Sequence, residues 1–146
     1  MKIRNIYRFL LLAFGLSSIF IYKKYYLNDT KKIISEKNPN EVVFEDLKIG
    51  DGDTAEKGKK VKINYKAALE DGFVFDSTLE RMQPFEFTIG SKTVVKGLQE
   101  AVDGMQVGGK RKAVVPPKLA FGKNTLAGII PSDSFIYFEI ELLDVK

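Results

Sequence analysis

The sequence predicts an α+β domain: an antiparallel sheet of five to six short strands with one short helix, preceded by an N-terminal hydrophobic helix. One sheet face would lie on the short helix and the other against water. Three observations predict it. Apolar and polar residues alternate with a period of two in three separate segments. Only one segment repeats its apolar residues at three- and four-residue spacing. A basic start and an uncharged apolar run stand ahead of everything else.

The first strand with clear alternation sets Val61, Ile63 and Tyr65 against Lys62 and Asn64. Glu70-Asp71-Gly72 follows as a hairpin turn signal, with Gly72 free to take a positive φ. Phe85, Phe87 and Ile89 alternate with Glu86 and Thr88. Val94, Val95, Leu98, Ala101 and Val102 then form one apolar face of a short helix. Gly97 weakens that helix intrinsically, so packing must hold it. A strand at Ala113 to Val115 must stop at Pro116 and Pro117. The last strand is long, with Ile136, Phe138, Ile140 and Leu142 alternating with Glu139 and Glu141. The turns at Gly50-Asp51-Gly52 and Gly108-Gly109-Lys110 read as hairpins rather than phosphate loops, since no strand–loop–helix surrounds them. Asp51-Gly52-Asp53 lacks the later ligands of a calcium loop.

The 146 residues divide into an arm, a tether and a domain. Residues 1–27 carry Lys2, Arg4 and Arg8, then an uncharged run of 14 residues from Phe9 to Tyr22, closed by Lys23 and Lys24. A bilayer span needs about 20 residues. Counted from Ile6, with Arg8 snorkelling, the run reaches 17. Bulky Phe20, Ile21 and Tyr22 stand where a cleavage site would need small residues, which favours an uncleaved signal anchor over a cleaved signal peptide. The basic start favours a cytoplasmic N-terminus and a domain outside the cytoplasm, in the periplasm or at the cell exterior. Cleavage would instead release a secreted protein. Residues 28–41 read as a polar linker and 42–146 as the folded domain.

Charge and composition exclude several chemistries. Residues 1–41 hold eight basic and three acidic residues, a net +5; residues 42–146 hold fifteen and sixteen, a net −1. The domain therefore has no electrostatic footprint for nucleic acid. The chain has no Cys and no His. A zinc site, a His-based triad and thiol chemistry are not expected, and nothing calls for a metal or cofactor. Asp71 and Asp76 could be a hydrolytic carboxylate pair, but exposed turn aspartates are the default. No segment marks an oligomer interface.

The domain is rich in Phe: Phe73, Phe75, Phe85, Phe87, Phe121, Phe135 and Phe138, with Tyr65 and Tyr137. From composition they could be a core built without Trp. They could equally line a partly open pocket for an apolar ligand.

The order of motifs decides between these. Residues 61–65 (VKINY), 69–78 (LEDGFVFDST), 84–90 (PFEFTIG), 94–98 (VVKGL), 104–108 (GMQVG), 120–122 (AFG), 128–131 (GIIP) and 138–143 (FEIELL) run in sequence without large gaps. Together they resemble the FKBP-type peptidyl-prolyl cis–trans isomerases across residues 42–145. The resemblance implies a sheet wrapped around the short helix, with a pocket between them for a proline side chain. Motif by motif, Tyr65, Phe75, Asp76 and Phe138 fall on the family's catalytic positions, and Phe85, Val94, Val95, Leu98, Phe121 and Ile130 on its substrate-binding positions. The Val95 backbone N–H would hold the peptide in register. Two departures stand out. Leu98 replaces the family's usual Trp, and Phe121 replaces a Tyr whose hydroxyl would donate to a bound carbonyl. Residues 123–127 (KNTLA) also replace a Gly/Pro-containing loop. These changes predict weaker binding of macrolide inhibitors. The implied partners are proline-containing polypeptides, plus the membrane if the N-terminal helix is retained. The competing expectation is a non-catalytic chaperone or protein-binding module that keeps the pocket for apolar segments.

Overall fold

The computed structural model describes residues 39–124 and 128–146. The expected N-terminal helix, most of the linker and part of the 123–127 loop lie outside the described residues. Six strands and one helix follow in order: β1 (Val43–Lys48), β2 (Lys60–Ala68), β3 (Val74–Ser77), β4 (Phe85–Thr88), α1 (Lys96–Val102), β5 (Lys110–Val115) and β6 (Ile136–Val145). A single 3-10 turn covers Pro117–Leu119. Among the described residues no helix is long and apolar enough to cross a membrane.

All pairings are antiparallel, in the order β1-β5-β6-β2-β3, with β4 also on β2. Strand β2 is long enough to serve two partners on one edge. Its first half pairs with β4, Lys60 to Thr88 through Ile63 to Phe85. Its second half pairs with β3, Lys66 to Ser77 through Ala68 to Val74. The chain between them, residues 78–84, therefore leaves the sheet beside Tyr65.

The expected alternation holds where it matters for packing. Val61, Ile63 and Ala67 of β2, and Phe138, Ile140 and Leu142 of β6, are buried with Leu98, Ala101 and Val102 of α1 in one core. Each such large side chain contributes roughly 1.5–3 kcal/mol when fully buried. The other face carries in-register charges, with Lys66–Glu139 at 3.0 Å and Lys110–Glu141 at 3.4 Å. Tyr137 breaks the pattern: it is buried although it alternates with the inner residues.

Helix α1 is only seven residues long, and Val94 and Val95 precede it rather than belong to it. Its closeness to the sheet explains Gly97. A Cβ there would meet Val115 Cγ1 at 2.1 Å and the Leu119 carbonyl oxygen at 2.9 Å. Gly97 thus costs helix propensity and permits the contact that holds the helix. At the other end, Arg111 donates through Nη1 to the carbonyls of Ala101 (3.0 Å) and Asp103 (3.1 Å). Its Nε and Nη2 take both oxygens of Asp46 in β1, at 2.6 and 3.2 Å. A cation against the last helical carbonyls is favoured by the helix dipole.

The 70–72 turn forms as expected. Gly72 has φ +85, and its N–H donates to the Leu69 carbonyl at 2.9 Å. The two Gly-rich turns do not close hairpins as expected. Gly50-Asp51-Gly52 follows β1, whose partner is β5, and Gly108-Gly109 leads into β5 from the helix side. They lie against each other instead, with Asp51 and Gly52 N–H both donating to the Val107 carbonyl.

Candidate functional site

The site begins at a joint in the sheet. Where β4 ends and β3 has not begun, Thr78 substitutes for a strand partner of β2. Its N–H donates to the Tyr65 carbonyl (3.0 Å), its Oγ1 accepts the Tyr65 N–H (2.9 Å), and its hydroxyl donates to Asn64 Oδ1 (3.0 Å). Thr78 is 1% exposed, so Tyr65 is held by a buried polar clasp. The Tyr65 hydroxyl then donates to Asp76 Oδ2. Asp76 Oδ1 accepts from Arg81 Nη1 in an ion pair. The Arg81 guanidinium lies 5.8 Å from the Tyr65 ring centroid. Phenol, carboxylate and guanidinium thus form a closed triangle at the edge of the sheet.

A bulge brings Phe75 to the same place. In simple alternation Phe75 and Asp76 would point to opposite faces. Asp76 pairs with Ala67 and Val74 with Ala68, leaving Phe75 as the extra residue. Such a bulge re-aims a side chain. The Phe75 ring consequently packs against the core, edge-on to Phe121 at 6.4 Å between centroids. Tyr65 makes edge contacts with Phe85 at 5.9 Å and with Phe138 at 6.0 Å.

Exposure separates these side chains into two groups. Tyr65, Phe75, Phe85, Val94, Val95 and Phe121 are half-buried against the core cluster, while Leu98, Phe138 and Ile130 are buried in it. Ile130 is 1% exposed and belongs to that core. The partial exposure of the first group leaves some apolar ring surface next to the Tyr65–Asp76 pair in contact with solvent. Asp71 does separate work, accepting the Phe73 N–H at 2.8 Å within the turn. A shallow recess elsewhere is lined by Asp46, Ile49, Met105 and Arg111 among others and includes none of the ten expected residues.

Sequence reading missed Arg81 and Thr78. Arg81 sits in an exposed stretch and resembles any solvated charge. Thr78 is seen to matter only when β3 and β4 are known to share one edge of β2.

Comparison with known proteins bears on the family and the fold. The family model for the FKBP-type peptidyl-prolyl cis–trans isomerase matches residues 52–143. An FK506-binding protein of Neisseria meningitidis serogroup B is 42% identical over 104 residues, covering 71% of this chain and 95% of that protein. FK506-binding protein 2 of Yarrowia lipolytica is 45% identical over 91 residues, covering 62% of this chain and 63% of its own. The crystal structure of AtFKBP13 superposes with a TM-score of 0.67 at 35% identity, over 72% of this chain and 93% of that one. With the family model matched over residues 52–143 and a relative 42% identical over 104 residues, this chain belongs to the family of FKBP-type peptidyl-prolyl cis–trans isomerases.

Proposed function

We propose that the basin of Tyr65, Phe75, Phe85 and Phe121 over Leu98 and Phe138 accelerates rotation about X–Pro bonds in polypeptides that fold outside the cytoplasm. The observation that carries this is the set of half-buried rings around a buried apolar floor, with the Asp76 carboxylate at its side.

The chemistry needs neither His nor Cys. Rotation about the amide breaks conjugation, with a barrier of ~18–20 kcal/mol, and no covalent bond is made or cut. The twisted amide is less polar than the planar one. Water stabilises the planar form better, and an apolar basin removes that advantage, so the twisted form is favoured differentially. Each thousandfold acceleration requires roughly 4 kcal/mol of such stabilisation. In this reading Phe75, Phe85, Leu98 and Phe138 hold the pyrrolidine, with Val94, Phe121 and Ile130 completing the walls and floor. The Val95 N–H holds the peptide in register. Asp76 orients the site through Tyr65 and Arg81 and takes no proton from the substrate.

X–Pro isomerisation takes tens of seconds unaided, long enough to limit folding. The uncharged run at 9–22, behind three basic residues, supports a membrane tether with residues 42–146 on the far side. Membrane fractionation with N-terminal sequencing tests the tether. A release of mature protein starting beyond residue 22 would replace it with secretion. The activity is tested by following cis-to-trans conversion of an X–Pro peptide. Suppression of aggregation without acceleration would make the domain a binding module instead.

A further inference from the structure

We propose that Gln99 is a positioning residue for the isomerase site, holding the wall-forming segment between β4 and α1 in its working shape; this rests on the isomerase reading above. Residues 90–95 connect β4 to the helix without regular secondary structure. They carry Val94 and Val95, two half-buried walls of the basin. Their own backbone bonding is sparse. Ser91 N–H donates to the Thr88 carbonyl, and the Val95 carbonyl accepts from Leu98 and Gln99. Among the described residues, the N–H groups of residues 92–95 make no backbone–backbone bond.

Gln99 supplies what the backbone does not. Its side chain points back from the second turn of α1 and is 8% exposed. Oε1 accepts the Gly90 N–H at 2.5 Å. The two Nε2 hydrogens go to the Ser91 carbonyl and the Val94 carbonyl, both at 2.8 Å. One amide thus binds both ends of the segment. Every donor it has is used, and the three contacts demand an acceptor and two donors on one planar group. Among side chains of this length only an amide meets that demand. A Glu carboxylate could keep the Gly90 contact but would face two carbonyls with no hydrogen to offer. A Met would fill the volume and make none of the three bonds. Because Val95 is also the residue that enters α1, a shift of the segment moves both wall residues relative to the Leu98 floor. Misplacement of positioning groups by about 1 Å can cost ~100-fold in rate.

The test uses the full chain and three variants: Gln99→Met, Gln99→Glu and Val43→Ala. Val43 is buried in β1 at the far edge of the sheet, so Val43→Ala reports what a loss of global stability alone does to activity. Each protein is assayed for kcat/KM on an X–Pro peptide at a temperature where all are folded, with urea unfolding alongside. Wild type should accelerate isomerisation. Both Gln99 variants should lose about tenfold to a hundredfold in kcat/KM, while Val43→Ala stays within about twofold. Amide exchange at Gly90 should quicken in Gln99→Met and less so in Gln99→Glu. The inference is overturned if either Gln99 variant keeps wild-type kcat/KM, or if Val43→Ala at matched stability loses as much. A wild type that gives no acceleration defeats the isomerase reading itself and removes the inference with it.

Discussion

Replacing Phe75 and Phe87 by Ala, one at a time, separates pocket from core. Both are Phe residues of short neighbouring strands on the β2 edge. Phe87 is 5% exposed and stacks on Phe85 at 5.5 Å and 29°. Its truncation removes a fully buried ring and leaves a cavity, costing about 3–5 kcal/mol. Phe75 is half-buried, and among the described residues its ring contact is the edge-on pair with Phe121. The pair contributes about 0.5–1.5 kcal/mol beyond area. Part of the ring already faces water, so Phe75→Ala costs less than a fully buried ring, about 1–2 kcal/mol in total. In a domain of this size that is a Tm change of several degrees, against more than ten for Phe87→Ala. Activity should rank the other way. With the protein folded, Phe75→Ala loses more than tenfold in kcat/KM on an X–Pro peptide, since an apolar wall is removed from the reacting amide. Phe87→Ala, assayed well below its Tm, keeps kcat/KM within a few-fold. Urea unfolding and the isomerisation assay supply both numbers. Parallel loss of stability and activity in the two variants would show that Phe75 is an ordinary core ring, and the open-basin reasoning would fail.

Other substitutions probe the scaffold and the ligand contacts. Arg111→Met removes the Asp46 pair and uncovers the Ala101 and Asp103 carbonyls. It should cost about 2–4 kcal/mol in urea unfolding, and a loss under about 0.5 kcal/mol would mean the guanidinium does not hold the helix end. Phe121→Tyr adds a hydroxyl at the wall and should tighten binding of a carbonyl-bearing macrolide; unchanged affinity in calorimetry would refute the missing-donor explanation. The contribution of Lys112 and Tyr137 to stability should also peak near pH 10. Burial holds the Lys112 ammonium down to about 8 from 10.5, despite the opposing pull of Glu139, so the unfolded chain binds more protons between those values and stability rises with pH. Burial, seconded by Glu70, pushes the Tyr137 hydroxyl up to about 12 from 10, so above pH 10 the native state holds the extra proton and stability falls. Lys112→Met should abolish the rise between pH 8 and 10, and persistence of that rise in the variant would rule out Lys112 as its source.

Much of this was legible in the sequence because it is local. The alternation around Val61, Phe85 and Ile136 encodes which residues face inward, and an L-residue strand has little choice in the matter. Gly72 marks its own turn. The ordered motifs from Val61 to Leu143 identified the family and nominated ten site residues, nine of them apolar or aromatic groups of one core cluster. What tertiary structure decided is what two distant segments decide jointly. The extra residue at Phe75 exists only relative to Ala67 and Ala68, and it sets the ring beside Asp76 instead of on the opposite face. Arg111 finds Asp46 from 65 positions away. Arg81 reads as surface charge until Asp76 and Tyr65 stand beneath it, and Gln99 reads as an ordinary helical residue until the 90–95 segment wraps onto it. Periodicity follows from the geometry of a single backbone. Register, bulges and polar clasps follow from which backbones meet, and periodicity along one segment does not say which those are.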